Sequence, residues 1–329
     1  MKFQFLGDSG FEVSRIALGC WGFAGGSMWG PQEEADSLET VSAALDCGIN
    51  FFETAEGYGD GYSEEVLGRA LAGRRHEAVI ASKIRSGNLS ASGIAAACER
   101  SLKRLRTDYI DLYQPHWPDR KTPFAETMQA LIRLKEQGKI RAIGLSNFGV
   151  GDLAEMLPNG KVVSNQLPYS LLFRAIEYEV QPVCIREGIG ILCYSTLLHG
   201  LLTGKYASAD EVPEGRGRTR HFSSSRAQTR HSEPGCEAET FSTIAQIGQL
   251  AEELGQPPGL LSMAWVLKQA GVASVIAGAR TPAQIRELAG AADLRLASDI
   301  LRQLNAISEP VKQILGPNPD LWASASRFR

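Results

Sequence analysis

Four residues of this chain have side chains that together could donate a proton. Glu53 and Tyr58 lie in FFETAEGYG, Lys83 in VIASKI and His116 in YIDLYQPHWPD. Each follows a short apolar run of the kind that forms a buried parallel strand: Ile49 to Phe52, Val79 to Ala81 and Tyr109 to Tyr113. The strand ends of a parallel α/β barrel converge on one rim, where residues distant in sequence meet. A phenol beside an ammonium is expected to be a stronger acid than a free phenol, whose pKa is about 10. The carboxylate would keep the ammonium charged, and the imidazole can hydrogen-bond the oxygen being protonated. Such a set can protonate a carbonyl oxygen while a hydride reaches its carbon. Singly, each residue has a plainer reading. A tyrosine or histidine can sit at a core boundary, a lysine in solvent, and a glutamate can be a strand-end charge. Their joint placement at three neighbouring strand ends favours one shared site.

The elements that must position them alternate. A short hairpin-like start (Phe3 to Phe5, a turn at Gly7 to Gly10, then Glu12-Val13) precedes a first strand, RIALG. Strands are then predicted at Ile49 to Glu53, Ala78 to Ser82, Tyr109 to Tyr113, Ile140 to Leu145, Val162 to Asn165, Gly190 to Tyr194 and Ala273 to Ala277. Helical patterns separate them, the first stopped by Gly48 and the fourth by Gly138, with Ser63 as an expected N-cap of the second. The sixth is expected to run from Ile176 to Glu187. Two more helices follow the seventh strand, and two further patterns, near Ser298 to Ile307 and Glu309 to Ile314, follow the eighth unit.

Eight βα units in 329 residues predict the α/β class. The expected architecture is a (β/α)8 TIM barrel, a single domain with an N-terminal β-hairpin cap and extra helices after strand 7 and at the C-terminus. No GxGxxG opens the first helix, which weighs against an open dinucleotide-binding sheet. Residues 205–235 form a long stretch on the active rim, rich in Arg, Ser, Gly and Pro. Its Arg216, Arg218, Arg220, Arg226 and Arg230 could grip a phosphorylated ligand; a flexible solvated loop is the other reading.

Composition narrows the function classes. Apolar residues make up 43% and charged residues 22%, ordinary for a chain with a large core. A net charge of −3 gives no field to gather nucleic acid or an anionic membrane. Neither a signal peptide nor a spanning helix is expected, and a cytoplasmic location is. The six cysteines are scattered without a CxxC pair, so reduced thiols are expected rather than a metal site.

With these motifs in order, ETAEGYG, SKI, QPHWPD, IGLSNFG, GLLTGKY and VIAGARTPAQIREL, the chain resembles the aldo-keto reductase family over nearly its whole length. It is most similar to the bacterial and plant members with a short C-terminus. The resemblance implies an NADPH-dependent barrel oxidoreductase reducing an aldehyde, ketone or sugar. It assigns Tyr58 as general acid, Lys83 as the group that lowers its pKa, and His116 as the residue that orients the carbonyl. The family's fourth member is aspartate, whereas this chain has Glu53, longer by one methylene. That change leaves open a second reading, a catalytically weak NADP(H)-binding protein that reports redox state.

The resemblance also implies the cofactor contacts. Gly19, which closes the first strand, and Cys20 and Trp21, which follow it, are among them. Ser146, Asn147 and Gln166 would hold the nicotinamide carboxamide, since an amide satisfies both its donor and its acceptor. Tyr194 would stack on the ring; a barrel-mouth core aromatic is the lesser alternative. Ser195, Leu197, Gly200, Leu201 and Lys205 would meet the pyrophosphate, with His199 where relatives often carry arginine. Gly278, Arg280, Thr281, Gln284 and Glu287 would hold the adenosine 2′-phosphate and adenine, with Leu288 where relatives commonly have asparagine. For the substrate, Trp21, Trp29 and Trp117, with Phe222 from the long loop, are pocket-wall candidates, and packing under loops is their alternative role. A metal-dependent barrel hydrolase is disfavoured, because the rim lacks His and carboxylates in ligand spacing.

Overall fold

Eight parallel strands close on themselves in the computed structural model, which describes residues 1–26 and 28–329. They are β3 (Ile16–Gly19), β4 (Phe51–Glu53), β5 (Val79–Ile84), β6 (Ile110–Pro115), β7 (Ile140–Ser146), β8 (Ser164–Pro168), β9 (Gly190–Tyr194) and β10 (Val272–Gly278). β10 pairs with β3 to complete the ring. β1 (Phe3–Phe5) and β2 (Glu12–Ser14) form the antiparallel hairpin. Leu6, Phe11 and Val13 of that hairpin region pack against Phe51, Leu112, Leu192 and the alanines at 17, 81, 142 and 273, and so stopper one end of the barrel. Strand residues facing the other way join the helices in a second, larger core. Both strand faces are therefore apolar, which is why the strands read as continuous hydrophobic runs.

The helices are α1 (Glu34–Asp46), α2 (Tyr62–Ala70), α3 (Ala91–Leu105), α4 (Phe124–Glu136), α5 (Val150–Met156), α6 (Val180–Arg186), α7 (Glu237–Glu253), α8 (Pro258–Leu267), α9 (Pro282–Ala289) and α10 (Ser298–Leu315). Gly48 follows α1 at φ 77°, a left-handed stop that needs no Cβ. No helix among the described residues is long and apolar enough to cross a membrane.

Three local expectations are corrected. α6 begins at Val180, not Ile176, after a 3-10 turn at Ala175–Glu177. Pro182 fits this start, because in a helix's first turn a proline's missing N–H costs no intrahelical hydrogen bond. Ser63 is not an N-cap: α2 starts at Tyr62, straight after left-handed Gly61, and the Ser63 hydroxyl instead donates to Cys20 O at 2.8 Å. The last two helical patterns are one helix, α10, continuous through Pro310. Its buried Leu304, Val311 and Leu315 span the proline, and Arg174 Nη1 bonds both Asn305 O (3.1 Å) and the Ser308 hydroxyl (3.0 Å).

The 205–235 stretch is tied down by side chains. Buried Arg220 pairs with Glu233 at 2.9 Å and donates to Leu315 O (2.8 Å) and Asn318 O (2.9 Å). Fully buried His221 bonds Leu172 O at 2.8 Å through Nε2, which must carry the hydrogen because a carbonyl only accepts. Nδ1 then accepts from the Thr219 hydroxyl at 3.1 Å.

Burial pushes His221 down to about 4 and His199 to about 3. An unfolded histidine titrates near about 6.5, so below that pH the unfolded chain takes up protons that the folded one refuses. Stability should therefore be intact above about pH 6.5 and fall as pH drops toward the folded values, by up to about 1.4 kcal/mol per pH unit for each histidine. Urea midpoints measured across this range should show that slope. His221→Gln should flatten it by about one proton's worth; an unchanged slope would remove His221 as a contributor.

Candidate active site

At the open end of the barrel lies a cavity of about 710 Å³. Its floor is built by the ends of β4, β5 and β6. β4 delivers Glu53, and the chain then makes a tight turn with Gly59, Asp60 and Gly61 all at positive φ, which folds Tyr58 back over the strand end. A Cβ on Gly59 would lie 2.9 Å from Ala24 Cβ, so the turn packs closely against the segment after β3. Lys83 comes from β5, and His116 lies just past β6, its backbone N–H bonded to Ile84 O at 2.9 Å.

The four residues expected to meet do meet. Lys83 Nζ donates to Tyr58 OH at 3.0 Å, to Thr54 O at 2.9 Å and to Glu53 Oε1. The Tyr58 hydroxyl in turn donates to Glu53 Oε1 at 3.1 Å. The His116 ring stands edge-on to Tyr58 at 5.7 Å, and Trp21 stacks on its face at 5.7 Å. Glu53 is only 3% exposed and Lys83 1%, so the ion pair lies in the protein interior, behind the phenol.

One electrostatic expectation is overturned. Tyr58 is not made more acidic: burial, then the nearby Glu53 carboxylate, hold its phenol well above the ordinary value. The longer glutamate arm brings its negative charge to the same hydroxyl that the ammonium touches, so the lysine's pull is opposed where it would act. Tyr58 therefore stays a neutral phenol that carries its proton at neutral pH. Burial lowers Lys83, while Glu53 opposes the shift. Burial first, then the Lys83, Arg85 and Arg327 cations, hold His116 well below the usual imidazole range, so it too is neutral.

Along the cavity from this floor lie most of the residues expected to hold a cofactor. Gly19, Trp21, Ser146, Asn147, Gln166, Tyr194, Ser195, Leu197, Gly200, Lys205, Gly278, Arg280, Gln284 and Glu287 line it, as do Trp29 and Trp117. Cys20 and Leu201 do not: both are fully buried in the core. Thr281 stands behind the wall as the cap of α9, its hydroxyl accepting from Gln284 N at 3.4 Å. Phe222 is likewise fully buried, under Arg226.

The lining includes groups suited to a dinucleotide. Asn147 adopts φ 64° and accepts from Tyr194 OH at 2.8 Å while donating to His116 O at 2.9 Å. Ser195, Leu198, His199 and Gly200 also have positive φ, so the turn after β9 is a strained, concave stretch of backbone. Lys205, Arg216, Arg218, Arg230 and Arg280 add cations to the lining. An amide pair, a backbone cradle and a set of cations suit the carboxamide, pyrophosphate and phosphorylated adenosine of such a ligand. His199 adds no charge at neutral pH, since burial holds it neutral. The Arg280 guanidinium bonds Gln32 Oε1 at 2.6 Å and the carbonyls of Trp29 and Pro31, clasping the segment after β3. A phosphate bound there would have to share donors already in use.

Sequence reasoning missed the contribution of the residues after α10. Trp322 and Arg327 line the cavity. Trp322 stacks on Tyr194 at 6.0 Å with an interplanar angle of 10°, which covers one face of that tyrosine. Arg327 lies 3.6 Å over Trp117 and is held by fully buried Asp320 through bonds of 2.6 and 2.8 Å. PDLWASASRFR has no periodicity; its one signal is the aromatic and arginine content of a turn-rich stretch.

The model of the "Aldo/keto reductase family" matches residues 15–309. The chain is 35% identical to the aldo-keto reductase YhdN of Bacillus subtilis, over 96% of this chain and 97% of that one. It is 34% identical to an NADH-specific methylglyoxal reductase of Escherichia coli, over 95% of this chain and 100% of the relative. Among solved structures it is similar to an aldo-keto reductase from Klebsiella pneumoniae in complex with NADPH. That likeness has a TM-score of 0.71 at 27% identity and covers 97% of this chain and 95% of the other.

Replacing Lys83 with methionine would leave the Glu53 carboxylate buried without its cation. The expected cost is about 3–5 kcal/mol, read as a lower urea midpoint. An unchanged midpoint would mean that the carboxylate does not depend on the ammonium.

Proposed function

The chain belongs to the aldo/keto reductase family, and we propose that it is an NADPH-dependent reductase of a small aldehyde, ketone or sugar, with Tyr58 as the proton donor. The observation that carries this reading is the Tyr58 hydroxyl, a neutral phenol held at 3.0 Å from Lys83 Nζ at the floor of the cavity, beside a neutral imidazole. A bound nicotinamide supplies the hydride. Tyr58 gives its proton to the carbonyl oxygen as negative charge grows there, and the Lys83 ammonium stabilises the phenolate left behind. His116, uncharged, hydrogen-bonds the same oxygen and aims it at the phenol without competing to protonate it. Trp21, Trp29 and Trp117 exclude water from the reacting carbon, with Trp322 and Arg327 closing the remaining side.

Asn147, Ser146 and Gln166 would hold the carboxamide, and the uncovered face of Tyr194 would take the ring. Arg216, Arg218, Arg230, Arg280 and Lys205 in the lining favour the cofactor that carries the extra phosphate. One relative is described as NADH-specific, so the preference is a point to measure. Fluorescence titration should give NADPH binding at least about tenfold tighter than NADH, a difference of about 1.4 kcal/mol. Equal affinities would remove the assignment of these cations to the 2′-phosphate.

Tyr58→Phe should bind NADPH as the parent does while losing about 100- to 10,000-fold in reduction of a panel of aldehydes and ketones. Turnover close to the parent's would reject Tyr58 as the donor. The second reading, a weak enzyme serving as a redox-responsive binding protein, draws on the phenolic hydrogen pointing to Glu53. A large rise in kcat in Glu53→Asp would favour it; a small change or a fall would favour the reductase.

A further inference from the structure

From Glu53 a line of amide groups crosses the barrel interior. Gln114 of β6 is fully buried, and its Nε2 donates to Gln166 Oε1 at 3.2 Å. Gln166 of β8 donates through its own Nε2 to Glu53 Oε1 at 2.9 Å. That single carboxylate oxygen also accepts from Lys83 and from the Tyr58 hydroxyl. Gln114 and Lys83 are register partners on adjacent strands, so both side chains leave the sheet on the same face.

The polarity of the line is forced from the Glu53 end. A carboxylate only accepts, so Gln166 must turn its NH2 toward Glu53 and its carbonyl toward β6. Only a donor can meet that carbonyl, so Gln114 presents its NH2 as well. Its own carbonyl oxygen is then left buried with no partner among the described residues, as is the nearby Ser164 hydroxyl. A buried acceptor without a partner is destabilising, so Gln114 keeps its amide here at a cost to the fold.

We infer that Gln114 is a positioning residue for the proton donor: acting through the Gln166 amide, it fixes the Glu53 carboxylate against Tyr58 and Lys83. The need arises from the glutamate itself. Its arm has one more rotatable bond than an aspartate's, and three donors converging on one oxygen remove that freedom. An aspartate at 53 would be shorter by one C–C bond, about 1.5 Å, enough to withdraw the carboxylate from Gln166. The amide line is thus matched to the residue by which this chain departs from the family pattern.

The test uses two variants of the full chain. Gln114→Met removes the amide at nearly constant volume, and Gln114→Glu keeps the shape but sets an acceptor against the Gln166 carbonyl. Steady-state reduction of an aldehyde with NADPH, NADPH affinity by fluorescence, and Tm are measured for each. Both should lower kcat by about tenfold or more, with carbonyl KM and NADPH affinity within about threefold of the parent. In a Glu53→Asp background, Gln114→Met should change kcat by less than about twofold, because the line no longer ends on the carboxylate. An equal loss in both backgrounds, or a lower Tm with kcat unchanged, would overturn the inference in favour of simple core packing. The inference rests on the reductase reading. A parent chain that binds NADPH but reduces no carbonyl would remove both, whereas active reduction with undiminished kcat in the Gln114 variants would remove only this one.

Discussion

Everything at the floor of this cavity depends on a buried ion pair, Lys83 with Glu53. Taking two charges out of water is costly, and their mutual attraction offsets this only if the remaining hydrogen-bonding capacity is also used. Here it is used: the ammonium also bonds the Thr54 carbonyl and the Tyr58 hydroxyl, and the carboxylate also takes Gln166. The phenol is thereby held between a cation and an anion, and burial first, then the Glu53 charge, keep its proton in place. The barrel suits this purpose. Its strands are rigid, its stoppered end is apolar, and adjacent strand ends set the opposing groups at hydrogen-bond distance.

Around this floor the cavity walls come from parts of the chain that the barrel alone does not specify. The segment after β3, the long stretch after β9 and the residues after α10 are joined by arginines. Arg280 clasps the first, and Arg220 joins the second to the third. Each of these guanidiniums bonds carbonyl oxygens of segments that have little regular structure of their own, a task suited to a planar group with five donors. Arg216, Arg218 and Arg230 of the same stretch line the cavity instead. A single arginine-rich sequence thus divides between holding the protein together and furnishing a cationic wall.

The barrel was legible because its signal is periodic: apolar strand runs alternating with amphipathic helices report burial on both sheet faces and on one helix face. The strand-end residues were legible for the same reason, since a polar residue closing an apolar run has a defined address. Misread places were those where one local bond outweighs periodicity. Pro182 delays α6, left-handed Gly61 moves the start of α2, and α10 continues through Pro310 with Leu304, Val311 and Leu315 buried on both sides of it. Trp322 and Arg327 were invisible because a turn-rich stretch carries no information about what it lands on. The acidity of Tyr58 was not legible because sequence gives the sign of each neighbour's charge but neither the depth of burial nor which neighbour touches the phenol; here burial, then Glu53, raise it.

The hairpin of β1 and β2 closes the barrel end opposite the cavity with Leu6, Phe11 and Val13. The dielectric below the Lys83–Glu53 pair is therefore low, and dissolved ions cannot approach the pair from beneath. Counter-ions reach the cavity only from its mouth, where Arg216, Arg218, Arg230 and Lys205 stand near solvent. A screening length of about 8 Å at physiological salt acts on those cations but not on the sealed pair. One cavity therefore holds two electrostatic regimes: ionic strength governs how strongly anions gather at its entrance and leaves the proton chemistry at its base almost untouched.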